Sequence, residues 1–130
     1  MQLLLTPVEL TLPADSRLMR VARLVATGVA TTCGLPLDAV EDFRIVVDEV
    51  CSALLEANDT GSFRLAFWVE RGALMVEGST DTALHREPDA ARLALSDQLL
   101  DTLADSHQLH HDGQRLTFLV STPLRANGVG

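Results

Sequence analysis

The sequence predicts an α+β protein, a two-layer α/β sandwich in which three helices cover one face of a mostly antiparallel sheet. Three observations carry this. Stretches of alternating apolar and polar residues come in hairpin pairs, three other stretches have helical spacing, and the order β-α-α-β-β-loop-α-β-β leaves no run of strands alternating singly with helices. At 130 residues the chain has the length of one domain and can bury a core without metal or disulfide staples. No internal repeat or linker divides it. A single domain is expected over residues 1–122, followed by a flexible tail at 123–130.

The elements follow in order. Val8, Leu10 and Leu12 alternate with Glu9 and Thr11, a half-buried strand ended by Pro13. Asp15 or Ser16 can cap a first helix carrying Leu18, Val21, Ala22, Leu24, Val25 and Val29, which Cys33-Gly34-Leu35-Pro36 stops. The second helix has the best start signal: Asp38, followed three residues later by Glu41 in an Asp-led relative of the capping box. Val40, Phe43, Val47, Val50 and Leu54 form its stripe, and Asn58-Asp59-Thr60-Gly61 ends it, so that Asp38 to Ala57 spans roughly 30 Å.

Phe63, Leu65, Phe67 and Val69 then alternate with Arg64, Ala66, Trp68 and Glu70, Arg71-Gly72 turns, and Ala73 to Glu77 returns. The second set would leave Trp68 exposed on the open face of the sheet. Gly78 to Asp89 reads as a polar loop. Pro88-Asp89 leads into a third helix with Leu93, Leu95, Leu99, Leu100 and Leu103 on its apolar side. The chain closes on a hairpin, Gln108 to His111, the turn Asp112-Gly113 and Arg115 to Val120, with a frayed end from Thr122.

Charge narrows the function. Eighteen acidic against ten basic residues give a net charge of −8, the wrong sign for a domain that neutralises phosphates, so no nucleic-acid partner is expected. All ten basic residues are Arg, which excludes a Walker A lysine, a Schiff-base lysine and a Lys-dependent kinase site. Cys33 and Cys51 have neither CxxC nor zinc spacing and read as reduced, packed thiols. The apolar runs are far short of the ~20 residues a membrane span needs, and Met1-Gln2-Leu3-Leu4-Leu5 lacks the features of a signal peptide. The expectation is a soluble, cytoplasmic protein.

Glu41-Asp42-Phe43-Arg44-Ile45-Val46-Val47-Asp48-Glu49-Val50-Cys51 resembles the nucleotide-box helix of the anti-sigma factor serine kinases, members of the GHKL superfamily with the histidine kinase-like ATPase (Bergerat-type) fold. The resemblance covers nearly the whole chain, including the opening strand, Leu35-Pro36-Leu37-Asp38-Ala39-Val40-Glu41-Asp42, the hairpin, and Leu99 to Asp105. Asp48-Glu49-Val50-Cys51 is similar to the actinobacterial branch, whose ATP motifs are often eroded.

The resemblance implies a nucleotide pocket, and the residues depart from it. The family helix carries E-x-x-x-N-x-x-x-[HN], with Glu as general base and the Asn oxygen on Mg²⁺, a cation that prefers hard oxygen ligands. Glu49 matches the base position, needed only in an active enzyme. Ala53 stands at the Asn position without a side-chain oxygen, and Ala57 fills the third, with Asn58 one residue late and about 100° off the face. Of the family's D-x-G-x-G, one acid and one glycine survive in Glu77-Gly78-Ser79-Thr80-Asp81. The phosphate turn has alanines in Ala91-Arg92-Leu93-Ala94-Leu95 where glycines belong. Glu49, Ala53, Glu77 and Gly78 are thus the positions of a degenerate cofactor pocket, no cofactor is expected, and Glu49 reads as a residual or solvated helix carboxylate.

Two other clusters stand out. His107, His110 and His111 lie at a hairpin where successive residues face opposite ways, so turn histidines are the reading rather than zinc ligands. Asp97, Asp101 and Asp105 recur at i, i+4 and i+8, a solvated acidic face that could also attract a basic partner; with Trp68 they are the candidate partner-binding residues. The leading expectation is an anti-sigma factor that binds an alternative sigma factor, is antagonised by an anti-anti-sigma protein, and forms a homodimer. The alternatives are an active Mg-ATP-dependent serine kinase acting on that antagonist, and a sensor or dimerisation module with no sigma partner.

Overall fold

The computed structural model describes residues 6–81, 89–104, 106–112 and 114–124. Five strands, β1 (Val8–Pro13), β2 (Ser62–Glu70), β3 (Ala73–Asp81), β4 (Ser106–His111) and β5 (Arg115–Pro123), form one sheet in the order β1-β2-β3-β5-β4. Every neighbouring pair is antiparallel. The helices α1 (Met19–Thr32), α2 (Leu37–Ala57) and α3 (Ala90–Leu103) complete the predicted α+β sandwich.

Local chemistry explains the boundaries. Asp15 accepts a hydrogen bond from the Arg17 amide and caps a single 3₁₀ turn, Ser16–Leu18, that runs into α1. Gly34, at φ +84°, ends α1: its amide bonds the Thr31 carbonyl, and the Leu35 amide bonds that of Ala30. These two bonds are the Schellman pair, and Leu35 is buried beneath the helix end. The two-residue turn between β2 and β3 places both Arg71 (φ 52°) and Gly72 (φ 74°) in the left-handed region. That is the turn whose twist matches a hairpin.

Register sorts the side chains. Phe63, Leu65 and Phe67 oppose Thr80, Gly78 and Val76, which in turn oppose Leu116, Phe118 and Val120. This set lies under the helices, where α2 contributes Val40, Phe43, Val46, Val47, Val50, Cys51, Ala53, Leu54 and Ala57 to the core. The rings of Phe43 and Phe67 meet at 6.1 Å and 58°, a tilted geometry favourable for aromatic pairs.

Several expectations need correction. Asp38 does not cap α2; the helix starts at Leu37 behind an extended Pro36, and Asp38 Oδ1 accepts from the adjacent Ala39 amide. Gly78 to Asp81 belong to β3 rather than to a loop, because they pair with β2 and β5 along their length; residues 82–88 of that stretch lie outside the described residues. Strand β5 continues through Thr122 and Pro123, and the Leu124 amide bonds the Gly72 carbonyl, so the end is not frayed at Thr122. Leu95 is exposed, and α3 turns Ser96 inward instead. Trp68 is half-buried: it opposes Met75 across the hairpin, and its indole donates to Glu70 Oε1 at 3.2 Å. Both cysteines are free thiols, and among the described residues no helix is long and apolar enough to cross a membrane.

Candidate functional site

The α2–α3 contact brings the chemistry-bearing residues together. Glu49 leaves α2 on the side facing α3, where Arg92 Nη1 donates to its Oε2 and the Ser96 hydroxyl donates to the same oxygen at 2.6 Å. Arg92 Nη1 also reaches Ser96 Oγ at 2.8 Å, and its Nε reaches Glu56 at 2.8 Å. The Glu49 and Arg92 side chains are only 17% and 20% exposed, so Glu49 is not the solvated carboxylate the sequence suggested. Burial acts to lower the Arg92 pKa, but the hydrogen bond and charge of Glu49, with the charge of Glu56, outweigh it and raise the value. The guanidinium stays charged.

The remaining pocket positions scatter or are filled. Ala53 is buried in the core with no oxygen to offer a cation. Gly78 lies directly under α2: a Cβ placed there would come within 2.5 Å of Val50 Cγ1, 3.1 Å of Leu54 Cδ1 and 3.2 Å of Leu65 Cδ2. The glycine thus serves helix–sheet contact, and α2 side chains occupy its open side. Glu77 is exposed on the opposite face of the sheet, opposite Ala66 and Leu119. The structure does not bring it to Glu49.

Two residues outside the expected pocket positions shape the site. Asp89 Oδ1 accepts from the amides of Ala91 (2.9 Å) and Arg92 (3.2 Å), taking up two of the α3 N-terminal donors that would otherwise be free for an anion. Asn58 uses its side chain as a brace. Its oxygen accepts from the Thr60 and Gly61 amides, and its nitrogen donates to the Asp81 carbonyl at the end of β3. Among the described residues, this set departs from the family's Mg-nucleotide pocket at four points. The metal position lacks an oxygen, the glycine space is occupied, two of the helix amides are capped and the carboxylate is engaged by a cation.

The other candidates lie elsewhere. Asp97 and Asp101 flank His107 of β4, with Asp97 Oδ1 2.6 Å from Nε2 and Asp101 Oδ1 3.5 Å from Nδ1. They are an α3–β4 tie as well as an acidic face; Asp105 lies outside the described residues. Among the described residues no group of three or more His, Cys, Asp or Glu could hold a metal. A cavity of about 300 Å³ on the open sheet face is lined by Glu9, Arg64, Glu77, Ser79 and Arg115 among others. A second, of about 380 Å³, lies between the outer faces of α1 and α2 and is lined by Arg20, Arg23, Leu24, Thr27 and Arg44.

An antiparallel sheet with a long helix laid across it and a carboxylate at the nucleotide-box position defines the class: a two-layer sandwich of the histidine kinase-like ATPase type. No family model matches the chain. It is 32% identical over 109 residues to the anti-sigma-F factor RsbW of Mycobacterium tuberculosis, covering 83% of this chain and 64% of that protein. It is also 32% identical over 92 residues to the serine-protein kinase RsbW of Halalkalibacterium halodurans, covering 68% and 55%. A serine-protein kinase RsbW of Bacillus anthracis is 26% identical over 72 residues, covering 53% and 45%. The chain belongs to this anti-sigma factor and serine-protein kinase family, and its matches span about half to two thirds of those relatives' lengths.

Proposed function

We propose that the chain is an anti-sigma factor acting in the cytoplasm by protein contact alone. It binds an alternative sigma factor, is released by an anti-anti-sigma antagonist, and neither requires Mg-ATP nor phosphorylates the antagonist. The observation that carries this reading is the state of Glu49. In an active kinase of this family the resemblance assigns that carboxylate to proton abstraction, which needs it open to a substrate hydroxyl. Here Arg92 and Ser96 hold it, and Ala53 beside it has no oxygen for a metal.

The partner surface in this reading includes the acidic face of α3. Asp97 and Asp101 remain 65% and 71% exposed despite their contact with His107, and their charge would speed encounter with a basic sigma factor. Half-buried Trp68, which opposes the buried Met75 on the open sheet face, would supply the homodimer contact.

Affinity purification of the tagged chain from its own cell, with the co-purifying proteins identified and then reconstituted from recombinant components, tests the proposal. A sigma factor that re-forms the complex without nucleotide supports it. A reconstituted complex that forms only with nucleotide, or a failure of every co-purifying sigma factor to bind, overturns it.

A further inference from the structure

Helix α3 is attached to the protein differently from the other two helices. Helix α1 buries Met19, Ala22, Ala26, Val29 and Ala30, and α2 buries nine residues. Among the fourteen residues of α3 only Ser96 and Leu100 are buried, and Leu95 is 62% exposed. Half-buried Leu93 and Leu103 add to this, and polar and charged contacts make up the rest. In its first half Arg92 bridges Glu49 and Glu56 of α2, with Ser96 completing the cluster. In its second half Asp97 and Asp101 bracket His107 of β4, whose side chain is 9% exposed.

We propose that α3 is a charge-latched helix that docks and undocks as a unit, with Arg92 as the latch that holds it over the Glu49 carboxylate. A contact made of two ion pairs, the buried Leu100 and the half-buried Leu93 and Leu103 has less apolar area to hold it than the seams of α1 and α2. Its docking equilibrium therefore weakens with ionic strength, whereas the apolar seam between α1 and α2 does not. Docked, Arg92 and Ser96 cover Glu49; undocked, both leave with α3 and the Glu49 carboxylate of α2 faces solvent beside Glu56, which is already exposed. The latch goes beyond the anti-sigma reading and stands without it, since it rests only on how α3 is held.

Hydrogen exchange followed by mass spectrometry on the full chain tests this, comparing the unaltered protein with Arg92→Met and Arg92→Lys. Arg92→Met keeps the apolar stem and removes the charge. Amides of residues 93–103 should then exchange about fivefold faster or more, a loss on the scale of one ion pair. Those of α1, β2 and β3 should keep their rates, and Arg92→Lys should recover part of the protection. In the unaltered protein, raising NaCl from 0.05 to 1 M should speed exchange in α3 alone, an arm that depends on no variant. Exchange in α3 that ignores both the charge and the salt, or that rises equally in every element, overturns the proposal.

Discussion

Arg92 of α3 donates to the Glu49 carboxylate, 43 positions earlier in the chain on α2, and thereby places a fixed cation where the family resemblance would put a reacting substrate. One sequence separation thus decides two matters, how α3 is held and what Glu49 can do. A carboxylate bound to a guanidinium and a hydroxyl in a partly dry contact is held in place, with one of its oxygens already engaged by both. It is poorly available as a base.

Nucleotide binding should therefore be absent. Calorimetric titration with Mg·ATP should give no saturable heat at micromolar concentrations. Ala53→Asn alone should not restore it, because two of the α3 amides remain capped by Asp89 and the Gly78 space remains filled by Val50 and Leu54. A low-micromolar Kd for the unaltered chain would contradict this.

Gly78→Ala should destabilise the fold by about 1–3 kcal/mol, the range for forcing an extra carbon into a filled core. The new Cβ would stand 2.5 Å from Val50 Cγ1. Urea denaturation measures the loss, and adding Val50→Ala should recover part of it if that contact is the cause. An unchanged midpoint for Gly78→Ala would show that α2 yields freely.

The two thiols should differ in reactivity. Burial, with the charge of Asp48 adding to it, pushes Cys51 up from the ordinary 9.0 to about 12; Cys33 is half-buried and is raised by burial as well. The Cys51 value is raised on folding, so the stability linked to its neutral form is complete below pH 9 and is lost as pH climbs toward 12. A thiol reagent at pH 8 should label Cys33 in the folded chain and Cys51 only after denaturation. Equal labelling rates would contradict the buried placement.

The architecture was legible in the sequence because it rests on period. Phe63/Leu65/Phe67 and the stripe from Val40 to Leu54 mark their faces by spacing alone, and Arg71-Gly72 names its own turn. The site was legible only where a residue type excludes a chemistry, as Ala53 does. The partners of Glu49 were not, since Arg92 and Ser96 show only an i, i+4 spacing on a helix whose apolar pattern favoured Leu95. Glu77 and Gly78 are adjacent in sequence but lie on opposite faces of β3, because the strand continues through them to Asp81. In sequence Asn58 reads as a displaced ligand, whereas its side chain braces the turn after α2.

Association through the open sheet face predicts a concentration-dependent mass. Sedimentation velocity should show a monomer–dimer shift across the micromolar range, and Trp68→Glu should move it toward monomer by placing a charge beside Met75. A monomer at high micromolar concentration would exclude this contact.

The central claim is that partner binding is independent of nucleotide. The most direct measurement is the affinity of the reconstituted sigma factor for the immobilised chain, at low and high salt, with and without Mg·ATP. The prediction is the same Kd in both nucleotide conditions, with association slowing as the Debye length falls from about 10 Å to about 3 Å. An affinity that rises severalfold on adding Mg·ATP would contradict it and assign the chain to the active kinases.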